Sequence, residues 1–330
     1  SKVSFTWPFS IRFSRLLKFL TDTICSEKMS ILNSNFIMIE LDFILAKAKY
    51  AIKNNFTEPE IATEKIIKLE QMKNPVLLKY SKNVIANDFE IGNNYISLIL
   101  TGSNTGGKTV LLKTIGLSIL MMKAGLFIPA KYGKIYPFTK IFADIGDEQS
   151  IEQSLSSFSS HIKNISFILE KADNKSIILL DELCSGTDPK EGSALAQAIL
   201  IKLAENNIIN IITTHYSEMK SLAFKDKKFQ NACVEFDMKT LKPTYNLLMG
   251  IPGASNAINI AQNMNFNSKI LELAKNIYSE QNDDSMKVLQ EIQQIRNKLT
   301  QAEAEAKTLK EEAQKTKAEY EQELEKFKTE

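Results

Sequence analysis

Residues 95–125 read YISLILTGSNTGGKTVLLKTIGLSILMMKAG. A short apolar run leads into a glycine-rich loop, and the loop leads into a long apolar segment without proline, so the spacing predicts strand, loop and helix in that order. The loop, Gly102-Ser103-Asn104-Thr105-Gly106-Gly107-Lys108-Thr109, fits G-x-x-x-x-G-K-[ST]. Its glycines let consecutive backbone N–H groups turn inward around phosphate oxygens. The helix that follows, from Val110 on, aims its positive N-terminal end at the same anion. Lys108 is expected to reach the β- and γ-phosphates of ATP and Thr109 to offer a hydroxyl to Mg2+.

Two later runs supply the rest of such a site. Residues 176–182, SIILLDE, form an apolar body that ends in two carboxylates. Ligands of open α/β sheets sit beyond strand ends of this kind. Asp181 is assigned to Mg2+ through water, and Glu182 to orienting and polarising the attacking water. Adjacent side chains of an extended strand point to opposite sides, which predicts a division of labour between them. The plainer reading, a solvated turn, is weakened by the phosphate loop upstream. Residues 208–216, IINIITTHY, bring His215 to a strand end. A lone histidine there is usually incidental, but this one falls where the γ-phosphate would lie, and its place after a two-carboxylate strand resembles that of the switch histidine of ABC-type ATPases.

Around these runs, short β-rich segments alternate with helical ones, the pattern of a mostly parallel sheet covered by helices. The expected class is α/β, a P-loop ATPase core flanked by an N-terminal helical segment and a C-terminal coiled-coil helix. Three regions are expected: 1–73 helical, 74–280 the nucleotide-binding core with a helical C-terminal segment, and 281–330 a coiled coil. The first region rests on apolar positions at three- and four-residue spacing in LDFILAKAKYAI and IATEKIIKLEQ. The last rests on a heptad-like seam from Val288 to Phe327, weakened by several alanines, so that a solvated single helix is the competing reading. Arg12, Arg15 and Lys18 sit among aromatics and read either as a basic patch or, more commonly, as snorkelling cations on a helix.

The chain has 330 residues, 44% of them hydrophobic and 24% charged, with a formal net charge of +2. That is enough for a full core and too little net charge to pull the molecule globally onto nucleic acid or membrane. Three cysteines, Cys25, Cys184 and Cys233, are far apart and only two histidines accompany them, so a reduced, cytoplasmic protein is expected. No apolar run approaches the roughly 18 to 20 residues of a membrane span, and the first residues lack the build of an export signal. No membrane partner is expected.

Taken together, TGSNTGGKT (101–109), FADIGDEQSIEQSLSSFSSHIKNI (142–165), ILLDELCSGTDPKEGSALA (178–196), TTHYSEMK (213–220) and GIPGASNAINIA (250–261) resemble the ordered motif series of MutS-type ATPases. The match is most similar to the second bacterial MutS family and covers roughly residues 39–278. The resemblance implies ATP and Mg2+ as cofactors and composite sites completed by a second copy of the chain. Ser156 and Ser157, at the start of a helix, would touch the γ-phosphate held by the partner. A serine-rich helix start suits that task, and no nearby arginine reads as a built-in finger. Gln149 would occupy the Q-loop, and Ser185, Gly186, Thr187 and Asp188 the D-loop at the dimer interface. Val84 and Ile85 match residues that sandwich the adenine, although an aliphatic pair also suits a core. Asn74-Pro75 stands where the family often has His-Pro. His215 matches the switch histidine of ABC-type ATPases.

The resemblance implies a cargo of branched DNA, in recombination control, or of collided ribosomes, in translation rescue. The family's Smr nuclease module has no counterpart motif after the coiled coil, so nuclease chemistry is not expected from these residues. A transporter ATPase would share the phosphate loop, carboxylates and histidine, but GIPGASNA, the coiled coil and the missing LSGGQ argue against it. A silent ATP-binding scaffold is disfavoured by intact Lys108, Asp181 and Glu182.

Overall fold

The computed structural model describes residues 7–81, 83–102, 106–146, 154–237, 240, 242–253, 257–264 and 266–281. Residues 282–330 of the expected coiled coil, and Ser103, Asn104, Thr105 and Gln149, lie outside the described residues. In chain order the elements are helices α1 (Trp7–Ser26) and α2 (Lys28–Asn54), strands β1 (Glu60–Ile61), β2 (Ile67–Met72), β3 (Asn87–Ile91) and β4 (Ser97–Thr101), then helix α3 (Lys108–Lys123). Strands β5 (Tyr132–Ile135) and β6 (Lys140–Asp144), helix α4 (Ser154–Lys171), β7 (Ser176–Leu180), α5 (Pro189–Glu205) and β8 (Ile209–Thr213) follow. Helix α6 (Leu222–Lys225), the hairpin of β9 (Phe229–Asp237) and β10 (Lys242–Met249), and helices α7 (Ala257–Asn263) and α8 (Ser268–Gln281) complete the order.

The main sheet has six strands in the order β10-β9-β4-β8-β7-β6, parallel throughout except for the β9–β10 pair. This is the mixed α/β class, with a mostly parallel sheet, that the strand–helix alternation predicts. The central strands β4, β7 and β8 are buried at every position, as strands covered on both faces must be. Alternation then sorts their side chains into two cores. Leu98, Leu100, Ile177, Leu179, Ile209 and Ile211 join α3 residues Leu112, Ile115 and Ile119 on one face. Ile99, Ile178, Leu180 and Ile212 join Ile165 and Ile168 of α4 and Ala196, Leu200 and Leu203 of α5 on the other. Each fully buried Ile or Leu adds on the order of 1.5–3 kcal/mol.

A second sheet, in the order β1-β5-β2-β3, packs its apolar face onto the α3 side through Ile67, Leu69, Phe89, Ile91 and Ile135. Here the helical reading of IATEKIIKLEQ is corrected, because residues 67–72 form β2. Ile67, Leu69 and Met72 are buried while Lys68, Glu70 and Gln71 are not, and β2 pairs with β3 on one side and β5 on the other. The spacing of Ile66, Ile67 and Leu69 satisfies either period, and pairing with distant strands decides between them.

The absence of a membrane-length segment is also corrected. Helix α2 is long and apolar enough to cross a membrane by length and composition, with a window of mean hydropathy 1.4 of which 0% is buried. Glu40 and Asp42 interrupt an unbroken apolar run, whereas an average along the helix absorbs them. A core helix and a signal sequence meet the same test, so the property assigns no location.

Candidate nucleotide site

Parallel pairing brings the C-terminal ends of β4, β8, β7 and β6 to one edge, and the sheet order sets what meets there. Beyond β4 lies Gly102, at φ +130, and before α3 lies Gly107, at φ +91, both in the left-handed region open to glycine. A Cβ at Gly107 would lie 3.1 Å from Cδ1 of Tyr245, so the glycine also lets an aromatic ring close over the loop.

Lys108 is 2% exposed, and its Nζ donates to the Gly102 carbonyl at 2.6 Å, bridging the two ends of the loop. Burial pushes its ammonium down to about 8, against the upward pull of the Glu182 and Asp181 carboxylates. Thr109 is half-buried beside it and Val110 is exposed.

Strand β8 lies between β4 and β7, so its last residue, Thr213, faces the carboxylates. The Thr213 hydroxyl donates to Asp181 Oδ1 at 2.5 Å and accepts the backbone N–H of Glu182 at 2.8 Å. One hydroxyl thus fixes the carboxylate of one residue and the backbone of the next. Asp181 and Glu182 lie past Leu180, where β7 ends, and Glu182 has φ +47. Their separation therefore comes from a left-handed turn and not from strand alternation. A non-glycine residue held at such φ is a local strain of the sort that clusters at functional sites. His215, two residues past β8, sets Nε2 3.1 Å from Glu182 Oε1.

Against the loop opens a cavity of about 390 Å³, lined by Met72, Leu77, Val84, Ile85, Gly106, Gly107, Val110 and Tyr245 among others. Its size and apolar walls suit a nucleobase. Val84 is half-buried and Ile85 exposed, so both face this opening and neither is closed into the core. Two asparagines on its wall are committed to structure. Asn74 accepts from the N–H groups of Val76 and Leu77 and donates to Thr114 on α3, so it caps the turn that carries the cavity wall. Asn87 donates to Tyr245 O at 3.0 Å and accepts from Leu247 N–H at 2.6 Å. That clamp spans an irregularity in the β9–β10 register and holds Tyr245 at φ +62, with its ring toward Gly107.

On the far side of Glu182 a smaller cleft of about 220 Å³ is lined by Glu182, Ser185, Gly186, Thr187, His215 and Tyr216 among others. Asp188 caps α5 by accepting from the N–H groups of Lys190 and Glu191. Tyr216 donates its hydroxyl to Cys184 O at 2.7 Å and so pins the loop that begins at Glu182. Ser156 and Ser157 fall in the first turn of α4. Asp144, at the end of β6, accepts from Asn164 at 2.8 Å and lies 2.7 Å from His161, tying α4 to the sheet edge.

The residues fit ATP and Mg2+. A glycine cradle with a buried lysine suits the phosphates, and the Thr109 hydroxyl with the Asp181 carboxylate is the hard-oxygen donor set that Mg2+ takes. Sequence reasoning missed Thr213, Asn87 and Tyr245, and it noted Asn74 only as a departure from the family's His-Pro, without a role. Thr213 had a signal, because a strand placed between the two motif strands must end beside the carboxylates. Tyr245 and Asn87 had none, since only the folded register brings them together.

The family model for MutS domain V matches residues 98–282. The chain is 45% identical over 307 residues to Endonuclease MutS2 of Caldicellulosiruptor saccharolyticus, an overlap of 93% of this chain and 39% of that protein. It is 47% identical to Endonuclease MutS2 of Clostridium tetani, over 90% of this chain and 38% of the relative. To that of Finegoldia magna it is 43% identical, over 96% and 40%. The chain therefore spans about two-fifths of the length of these curated relatives. The domain V match and this level of identity along most of the chain agree with the motif order in residues 101–261, and the chain belongs to the MutS family, as a protein of the MutS2 type.

Proposed function

We propose that this chain binds ATP with Mg2+ and hydrolyses it, and that two copies join through composite sites to form a nucleotide-gated clamp. The supporting observation is the convergence at one sheet edge of Lys108, Asp181, Glu182 and His215 beside a base-sized cavity. Lys108 neutralises the β- and γ-phosphates, and Glu182 accepts a proton from the attacking water. His215, now against Glu182, contacts the γ-phosphate and orients the carboxylate. Thr109 and Asp181 hold Mg2+, which when bound neutralises charge on the phosphate oxygens. Ser156, Ser157 and the Ser185–Asp188 loop complete the partner's site, and Gln149 senses water or metal.

The cargo of the clamp is branched DNA or the ribosome, with ATP joining the two heads and hydrolysis releasing them. The endonuclease activity in the relatives' name we assign to parts of the full-length protein other than the site described. The test uses the full-length protein carrying Glu182→Gln, held with ATP and Mg2+, and compares its affinity for four-way DNA junctions and for collided ribosomes at physiological salt. Tight binding of one assigns the cargo. Binding of neither overturns the clamp.

A further inference from the structure

The segment that follows the β9–β10 hairpin, Ile251-Pro252-Gly253, is buried and lies directly against the start of the phosphate loop. Gly253 N–H donates to Thr101 Oγ1 at 2.6 Å, in the last residue of β4. A Cβ on Gly253 would lie 2.7 Å from Gly102 N and 2.8 Å from Gly102 Cα, so this residue and the first loop glycine are in backbone contact that only glycine permits. The other end of the Gly253 peptide is held by Lys220, whose Nζ donates to Gly253 O at 2.6 Å.

Lys220 is an unusual residue to find there. It is 9% exposed, and its one side-chain hydrogen bond among the described residues goes to that carbonyl. Burial lowers its pKa. Among the described residues no carboxylate forms an ion pair with it, although Cys233 and Glu218 are near enough to pull its pKa back up; a buried ammonium so held is costly, and an apolar side chain would pack the same space more cheaply. Its backbone is fixed as well, because Asn231, 2% exposed on β9, donates to Lys220 O at 2.9 Å. Lys220 also stands five residues after His215, on the short 3-10 turn Glu218–Ser221.

We propose that Lys220 is a positioning residue that couples the phosphate loop to the C-terminal helices α7 and α8. The contacts form a continuous chain. Lys108 holds Gly102 O, Gly102 abuts Gly253, and Gly253 is bound at its N–H by Thr101 and at its carbonyl by Lys220. A triphosphate in the loop competes with Gly102 O for the Lys108 ammonium and so changes the load on Gly102. With Gly253 fixed at both ends, that change is not absorbed at Gly253, four residues before α7 begins at Ala257. Without the Lys220 bond, Gly253 yields locally and the helices do not respond. The proposal rests on the nucleotide reading of the site.

The test uses the full-length protein and Lys220→Met, which keeps the length and apolar stem of the side chain and removes the ammonium. ATP affinity, kcat, KM and the ATP-induced change in hydrogen exchange of residues 257–281 are measured together. The expected result is ATP affinity and KM within roughly threefold of the parent, kcat reduced about tenfold, and the exchange response of 257–281 lost. Lys220→Arg restores part of both. If Lys220→Met does not fold, Thr101→Val carries the test, since it removes the acceptor of the Gly253 N–H. A parental exchange response and kcat in a folded variant overturn the coupling. If the parent itself binds no ATP, the nucleotide reading falls and the coupling with it.

Discussion

If Lys108 engages the phosphates as proposed, its burial should make nucleotide binding a proton-linked event in an accessible pH range. The ammonium is 2% exposed, donates to Gly102 O, and titrates at about 8, well below its ordinary 10.5. A bound triphosphate adds negative charge beside it and raises its proton affinity, so ATP binding takes up a proton where free Lys108 has begun to lose one. If only the protonated lysine engages the phosphates, apparent Kd grows as one plus ten to the power of pH minus 8. Between pH 7.5 and 9.5 that is a weakening of about 25-fold, or roughly 2 kcal/mol, and about half a proton is taken up per ATP at pH 8. A lysine at 10.5 would weaken binding by only about 10% over the same range. Isothermal titration of the parent with a non-hydrolysable ATP analogue and Mg2+, in pairs of buffers of different ionisation enthalpy, reads both quantities with the Glu182 charge in place. Lys108→Arg keeps the charge at every pH used and should flatten the profile. A parent affinity constant within about twofold from pH 7.5 to 9.5, with no proton uptake, would refute the reasoning.

Further outcomes follow from the same geometry. Lys108→Met should stabilise the nucleotide-free protein at pH 7 by up to roughly 3 kcal/mol, because the buried charge is then absent. The gain is full below about pH 8 and fades as pH rises toward 10.5, since only the protonated form is penalised; thermal melts at pH 7 and 9.5 check it. Asn87→Ala removes both bonds that hold the Tyr245 irregularity and should weaken ATP by about 1–2 kcal/mol, while leaving the affinity for inorganic triphosphate unchanged in competition titrations. Equal loss for both ligands would mean that Tyr245 is not aimed at the base. Thr213→Val leaves Asp181 and the Glu182 N–H without their shared hydroxyl, at a cost of about 1–3 kcal/mol by denaturant unfolding and with slower hydrolysis. An unchanged rate would remove Thr213 from the site.

The fold was legible where side-chain patterning coincided with burial. Runs such as SIILL and INIIT have no solvent face, and that is the property of central parallel strands; the loop between β4 and α3 was legible because its glycines and lysine follow from phosphate geometry. The second sheet was hidden in IATEKIIKLEQ, where two periods fit the same isoleucines and leucine and only pairing with β3 and β5 selects one. For the site, Lys108, Asp181, Glu182 and His215 were readable as motif residues, but the turn that separates the carboxylates was not, since positive φ at Glu182 has no sequence mark. Asn87 and Tyr245 were out of reach for the same reason as Lys220 and Gly253. Each is a contact across many residues, set by strand register and close backbone approach.

The central claim is that this sheet edge hydrolyses ATP with Glu182 as the base. The most direct measurement is single-turnover hydrolysis of ATP by the parent and by Glu182→Gln, with ATP binding measured on both. The account predicts binding within about threefold and a hydrolysis rate reduced by on the order of 10²-fold or more in the variant. Unchanged turnover in a variant that binds ATP normally would contradict it.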